Sequence, residues 1–144
     1  MCGAGPYTGR PAPMSAASKG DQVAVAPSVI EHLHVAASAA EEKSGGDLIA
    51  LDVTERFPLA DVFLIASAET ERQVQAVAEN IEDRLREAGV KPLLVEGVAG
   101  GRWVLMDFDG LIVHVQHAEE REFYQLERLW KDCPVVDLQL QATS

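Results

Sequence analysis

The sequence has few basic residues and only two cysteines. Its 12 lysines and arginines stand against 23 aspartates and glutamates, which gives a formal net charge of −11 over 144 residues. A surface this acidic repels phosphate backbones, so the composition argues against direct nucleic-acid binding and favours a basic protein partner. Cys2 and Cys133 lie at opposite ends of the chain and form neither a metal-ligand pattern nor a disulfide framework. A reducing, cytoplasmic location is therefore expected.

The sequence also lacks a long apolar run. No uninterrupted stretch approaches the roughly 20 apolar residues that span a bilayer, so no membrane span is expected. Residues 1–27 contain four prolines and no apolar core of a signal peptide, and they are predicted to be a disordered leader or an added extension, with Met14 as an alternative start. Residues 28–138 are predicted to form one domain and residues 139–144 a tail, because 47% hydrophobic content in a chain of this length supports one core.

Helical periodicity alternates with short apolar runs inside the predicted domain. Capping-box patterns at Ser28 with Glu31 and at Thr70 with Gln73 predict the starts of two helices. Strands are predicted over residues 48–53, 62–66, 93–96, 103–107 and 111–117, and a third helix over residues 118–130. This order predicts a single α/β domain with a mixed sheet of about five strands and three helices.

The dipeptide Asp109-Gly110 between the last two predicted strands is a strong signal for a two-residue hairpin turn. Such a turn pairs Leu105 with His114 and Asp107 with Ile112, and paired residues share a face of the sheet. One face then carries core residues, namely Val104, Met106, Phe108, Leu111, Val113 and Val115. The other face, called the second face below, carries Trp103, Leu105, Asp107, Ile112, His114 and Gln116.

The second face is neither fully apolar nor clearly polar. A tryptophan beside aliphatic residues, with one carboxylate and one imidazole, is typical of a protein-interface hot spot. The same pattern fits a second core layer beneath a helix, with a few satisfied polar groups. Both interpretations hold in part if the helices leave one end of this face uncovered.

Two residue pairs are candidate metal sites. His114 and His117 are three apart on one predicted strand, so they point to opposite faces and do not share a metal ion. Asp107 and Asp109 are two apart and could hold Mg²⁺ for nucleotidyl transfer. Gly110 follows at once and favours a turn, and no glycine-rich phosphate loop opens a predicted helix. A metal-dependent nucleotidyltransferase is therefore the alternative hypothesis, and no cofactor is predicted.

The closing helix begins with acidic residues and continues with an apolar stripe. Glu119, Glu120 and Glu122 lie in its first turn, where the helix dipole favours carboxylates. The stripe is predicted to face the core and comprises Phe123, Leu126, Leu129, Trp130 and Cys133.

Six short motifs follow one another along the predicted domain. They are Asp61-Val-Phe-Leu-Ile-Ala-Ser67, Arg72-Gln-Val74, Glu96-Gly97, Trp103-Val-Leu-Met-Asp-Phe108, Val113-His-Val115, and Glu122-Phe-Tyr124 with Leu129-Trp130. Each motif alone is weak, but their order and spacing are specific. Over roughly residues 28–138 the chain resembles the Iojap-like ribosomal silencing factors, the RsfS family.

The resemblance implies a non-enzymatic factor that binds the large ribosomal subunit. Its target in the family is the basic ribosomal protein L fourteen on the intersubunit face, where binding blocks joining of the small subunit and represses translation. The resemblance also implies a fold similar to nucleotidyltransferases without their catalytic set, and a homodimer off the ribosome. A purely structural dimerisation module is a third hypothesis.

The resemblance also implies a set of contact residues. The family's Trp-x-Leu-x-Asp-aromatic segment falls on Trp103, Leu105, Asp107 and Phe108, which are therefore the expected partner contacts. His114 joins them because the predicted hairpin places it opposite Leu105.

Overall fold

The computed structural model describes residues 25–138, so most of the predicted leader and the whole predicted tail lie outside the described residues. The elements are α1 (Pro27–Glu42), β1 (Gly46–Asp52), β2 (Ala60–Ala68), α2 (Glu71–Glu87), β3 (Leu94–Glu96), β4 (Trp103–Asp107), β5 (Gly110–His117), α3 (Ala118–Tyr124) and the single turn α4 (Leu126–Leu129). This order confirms the predicted α/β domain. None of the helices in the described part of the chain is long and apolar enough to cross a membrane.

The strands form one sheet in the order β1-β2-β5-β4-β3. The central pair, β2 and β5, runs parallel, and the other neighbouring pairs are antiparallel. The continuous apolar run of β2 explains its central place, because a strand buried on both faces needs apolar side chains at successive positions. The mixed five-stranded sheet predicted from the sequence is confirmed.

Helices α1 and α2 cover the first face of the sheet and bury the larger core. Leu33 on α1 and Leu85 on α2 are fully buried there. The six hairpin residues predicted to be core belong to the same cluster: Val104, Met106, Phe108, Leu111, Val113 and Val115. Full burial of each leucine or valine side chain contributes roughly 1.5–3 kcal/mol to folding, so this layer supplies most of the hydrophobic stabilisation.

The two helices begin by different means. At α2 the Thr70 hydroxyl accepts a hydrogen bond from the Gln73 amide at 3.0 Å, as the capping pattern predicted. At α1 the predicted cap is wrong. The N-cap is Ala26 and the helix starts at Pro27, so Ser28 is already the second residue of the helix. Proline suits the first helical position, where its missing N–H leaves no bond unmade.

The hairpin between β4 and β5 has the predicted register. Asp109 and Gly110 both have positive φ, at 63° and 100°, as a type I′ turn requires. The Phe108 amide donates to the Leu111 carbonyl at 2.8 Å, and Leu105 lies opposite His114. The turn thereby fixes which residues of both strands share the second face.

The predicted third helix is broken in two. Gln125 has a φ of 48°, so α3 ends at Tyr124 and the chain turns into α4. Leu126 and Cys133 of the predicted stripe are buried, but Phe123 and Leu129 are 77% and 67% exposed, and their predicted core placement is wrong. A left-handed residue changes the direction of the helix axis, so one helical periodicity does not continue through it.

Candidate functional site

The second face of the sheet is covered at one end only. Over β1 and β2, a smaller core encloses Phe63 beneath Phe57, Leu126, Trp130 and Cys133. Over β3 and β4, side chains remain half-buried or exposed. We call this part the open face, and it comprises Leu94, Glu96, Trp103, Leu105 and Asp107. The second face therefore contains both a core layer and an uncovered end, so the two interpretations of its sequence hold in different places.

Rings form a continuous row from the open face into the smaller core. The Tyr124 ring lies 4.9 Å from the Trp103 indole, measured between centroids, and the indole lies 6.0 Å from the His114 imidazole. Phe63 follows at 5.2 Å from His114, and Trp130 at 5.0 Å from Phe63. Edge-to-face and tilted pairs at these distances are attractive beyond their apolar burial. The row anchors the half-buried Trp103 to the rigid part of the sheet.

Trp103 is also held by a hydrogen bond. Its indole Nε1 donates to Nδ1 of His114 at 3.1 Å. An accepting Nδ1 places the imidazole proton on Nε2, the neutral tautomer. Burial lowers the pKa of His114 to about 4, so the imidazole stays neutral at physiological pH. The bond can therefore form throughout the physiological range.

Two carboxylates flank the apolar centre of the open face. Glu96 lies opposite Leu105 across the β3–β4 pair and is exposed. Asp107 ends β4, and its carboxylate accepts a hydrogen bond from the Asp109 amide at 3.0 Å. An apolar patch with acidic residues at its rim suits a partner that presents basic side chains around an apolar contact.

Arg102, which precedes Trp103 in the chain, forms ion pairs with two helices. Its guanidinium lies 2.9 Å from Glu119 and 3.0 Å from Glu120 of α3, and 3.7 Å from Glu71 of α2. The hydrogen bond with Glu119 is the main cause that raises the pKa of Arg102 and lowers the pKa of that carboxylate. Two of the three acidic residues at the start of α3 are thus paired with Arg102.

The structure separates the five predicted contact residues. Trp103, Leu105 and Asp107 lie together on the open face. Phe108 lies in the larger core, 2% exposed, because side chains alternate along the strand, and it is not a surface residue. His114 is 7% exposed and reaches the surface only through Trp103. The prediction that Phe108 and His114 contact the partner directly is therefore corrected, because both side chains are buried.

Three further residues lie on or against the open face: Leu94, Glu96 and Tyr124. Leu94 and Glu96 come from the short strand β3, whose pairing with β4 brings them beside Asp107 and Leu105. Tyr124 covers the indole of Trp103 from the end of α3. The chain order of the strands offered a signal for β3, since consecutive antiparallel strands usually pair. Nothing in the sequence indicated the placement of Tyr124, because that placement depends on the break at Gln125.

The candidate metal-binding residues have structural roles. Asp109 occupies the hairpin turn, and the Asp107 carboxylate is bound to its amide. His117 is the last residue of β5 and caps α3, because its Nδ1 accepts a hydrogen bond from the Glu119 amide at 3.1 Å. Within residues 25–138 no group of three or more histidine, cysteine, aspartate or glutamate side chains is arranged to hold a metal ion.

A polar cleft of about 550 Å³ lies beside α3 and α4, away from the open-face residues. Both of its arginines contact neighbouring side chains of α3 and α4, but Nη1 of Arg121 is buried without a hydrogen-bond partner. Arg121 pairs with Glu127 at 3.2 Å, and Arg128 donates to the Gln125 side chain at 2.9 Å. These contacts hold the broken helix together.

Comparison with known proteins gives consistent matches. The family described as ribosomal silencing factor during starvation matches residues 26–144. The ribosomal silencing factor RsfS of Bacillus subtilis (strain 168) is 42% identical over 106 residues, which cover 74% of this chain and 90% of that protein. A crystal structure of a Chromobacterium violaceum protein has a TM-score of 0.70 and 32% identity, covering 81% of this chain and 96% of that one. The mouse protein named mitochondrial assembly of ribosomal large subunit protein 1 is 24% identical over 96 residues, 65% of this chain and 42% of that protein.

These matches confirm the resemblance that the six motifs indicated. The family match spans most of the chain, and the solved relative has the same fold. The bacterial relatives are named ribosomal silencing factors. The chain belongs to the RsfS family of ribosomal silencing factors.

Proposed function

We propose that this protein binds the large ribosomal subunit through the basic ribosomal protein L fourteen, sterically blocks joining of the small subunit and so represses translation in the cytoplasm. The observation that carries the proposal is the open face of a chain that belongs to this family. There Trp103 and Leu105 are half-buried, and Asp107 and Glu96 stand beside them. The name of the mouse relative, an assembly protein of the mitochondrial large ribosomal subunit, supports a large-subunit partner.

The role proposed for each of these side chains follows from its chemistry. A net charge of −11 attracts a basic partner at long range and speeds the encounter. The apolar centre, Trp103 and Leu105, loses water on contact and holds the complex. Asp107 and Glu96 meet lysine or arginine side chains at the rim and fix the orientation. Repression then needs no catalysis, because the bound domain occupies space that the small subunit requires.

Co-sedimentation with purified large subunits tests the proposal. Trp103→Ala removes the apolar anchor and is expected to lower affinity about 30-fold, which corresponds to about 2 kcal/mol for a central interface residue. Leu59→Ala is the matched control, because Leu59 is exposed but lies outside the open face. Equal sedimentation of the Trp103→Ala variant and the wild type would show that the open face is not the binding site.

A charge reversal tests the rim separately. Asp107→Lys is expected to weaken large-subunit binding, whereas Glu79→Lys, exposed on α2 behind the sheet, makes the same charge change and is expected to leave binding intact. Equal effects of the two variants would attribute the loss to net charge and not to the site. Because the proposal makes binding of this protein and of the small subunit mutually exclusive, excess small subunits are expected to reduce large-subunit binding by the Glu79→Lys variant.

We also propose that the protein is a homodimer off the ribosome. Light scattering in the absence and presence of large subunits tests this state. Dimers that dissociate on binding support a regulatory factor. Dimers that persist with the large subunit present, without repression of translation, would favour the structural dimerisation module.

A further inference from the structure

We propose that His114 is a positioning residue that fixes the indole of Trp103 in the orientation the partner meets. The inference rests on the proposed function, since it assigns a role within the same binding site. His114 itself is buried and offers the partner almost no surface. Its Nδ1 nevertheless lies 3.1 Å from the indole Nε1, so it acts on the open face through one hydrogen bond.

The imidazole is itself fixed in place. His114 lies on β5 between Ile65 of β2 and Leu105 of β4, in the middle of the sheet. Phe63 packs edge-on against its ring, with the centroids 5.2 Å apart and the planes at 72°. A ring enclosed by strands on both sides and by an aromatic neighbour has little rotational freedom. The acceptor atom therefore has a defined position relative to β4.

The indole has two supports that together define its orientation. His114 binds the N–H edge, and Tyr124 packs against the ring at 4.9 Å with an interplanar angle of 49°. Without the acceptor, the N–H of a half-buried indole would have to turn toward water to find a partner. The ring would then leave the orientation that His114 and Tyr124 define. Fixing the side chain before contact lowers the entropy lost on binding.

Nuclear magnetic resonance of the free protein tests the hydrogen bond directly. In wild-type protein labelled with ¹⁵N, a scalar coupling between Trp103 Nε1 and His114 Nδ1 is expected, and its absence would overturn the inference. The protein has two tryptophans, so the Trp130 indole serves as an internal reference. In His114→Leu the Trp103 indole N–H resonance is expected to move upfield and exchange faster with water. In His114→Asn it is expected to stay near its wild-type position, because the amide oxygen replaces Nδ1 as acceptor.

A matched control separates positioning from stability. Val77→Ala removes buried apolar volume from α2 in the larger core, on the opposite face of the sheet from Trp103 and His114. This variant is expected to melt at a lower temperature while keeping the Trp103 resonance and the binding affinity. Loss of binding in Val77→Ala equal to that in His114→Leu would mean that His114 acts only by stabilising the fold.

Binding to purified large subunits tests whether the hydrogen bond between His114 and Trp103 contributes to partner binding. His114→Leu is expected to weaken binding about fivefold, the factor that one hydrogen bond typically contributes, and His114→Asn is expected to restore it. Unchanged binding in His114→Leu, together with a displaced indole resonance, would overturn the positioning role. Absence of binding by the wild-type protein would overturn the proposed function instead, whereas the resonance data decide the hydrogen bond independently.

Discussion

Tyr124 packs its ring 4.9 Å from the indole of Trp103, so helix α3 reaches the open face through one side chain. The α3 helix has no buried residue of its own, and Tyr124 is its last residue, followed by the C-cap Gln125. Its contact with Trp103 is therefore a principal link between this helix and β4, beside the ion pairs of Arg102. The position of the helix and the exposure of the indole depend on each other.

Replacing Tyr124 with alanine is expected to expose the indole of Trp103. The fluorescence emission of Trp103 should shift to longer wavelength, and the free energy of unfolding should fall by about 1 kcal/mol, the value typical of an aromatic pair. Phe123→Ala is the control, because Phe123 is exposed and contacts the Tyr124 ring but not the indole. Identical emission spectra for the two variants would contradict the contact.

The stability of the protein is expected to depend on pH through His114. Burial lowers the pKa of this group from 6.5 to about 4 in the folded protein, so the unfolded chain binds a proton more readily. The free energy of unfolding should therefore be largest above pH 6.5 and fall as the pH drops toward 4, by up to about 3 kcal/mol from this residue. Denaturant titrations at several pH values measure the effect. His114→Asn removes the titrating group, and an equal pH dependence in this variant would assign the effect to the carboxylates.

Two glycines with the same backbone conformation are expected to differ in their tolerance of alanine. Gly97 and Gly89 have φ of 86° and 85°, but a Cβ on Gly97 would overlap the carbonyl oxygen of Trp103, whereas Gly89 faces open space. Gly89→Ala should cost about 1 kcal/mol from the left-handed conformation alone. Gly97→Ala should lower the free energy of unfolding by at least about 3 kcal/mol and disturb Trp103, because the clash with the backbone adds to the cost of the left-handed conformation. Thermal melting of both variants measures the difference, and equal losses would contradict the close approach.

The break between α3 and α4 is expected to store backbone strain at Gln125. This residue has a φ of 48°, a conformation that costs about 1 kcal/mol for a residue with a Cβ. Gln125→Gly should therefore be more stable than Gln125→Ala by about 1 kcal/mol, since both lack the side-chain contact with Arg128 and only alanine retains the strain. Chemical denaturation compares the two. Greater stability of the alanine variant would indicate that residues 118–130 form one continuous helix in solution.

The hairpin was the most predictable part of the site. Asp109-Gly110 selects a two-residue turn, and a turn of known length fixes the register of every pair along β4 and β5. The placement of Trp103, Leu105 and Asp107 on one face followed from that register alone. The same alternation places Phe108 on the core face, and the motif resemblance that grouped it with the contact residues was wrong in this respect.

The C-terminal part of the site was less predictable. Residues 118–130 satisfy a helical pattern, and glutamine carries no preference for the left-handed conformation that Gln125 adopts. The break is stabilised by tertiary contacts, such as the ion pair between Arg121 and Glu127, that no local pattern encodes. The position of Tyr124 over Trp103 depends on the break and could not be predicted before it.

The C-terminal segment also determines how the sheet meets other molecules. Val135 forms a bridge with Leu51, and the Val136 amide donates to the Ala50 carbonyl at 2.8 Å, so the segment satisfies part of the outer edge of β1. An unpaired strand edge is a template for uncontrolled association of chains. Within residues 25–138 the opposite edge strand, β3, is three residues long and is a poor template for the same process. The fold thus limits edge-to-edge association of its sheet while the face beside β3 stays accessible, so colloidal solubility and partner binding depend on opposite edges of the sheet.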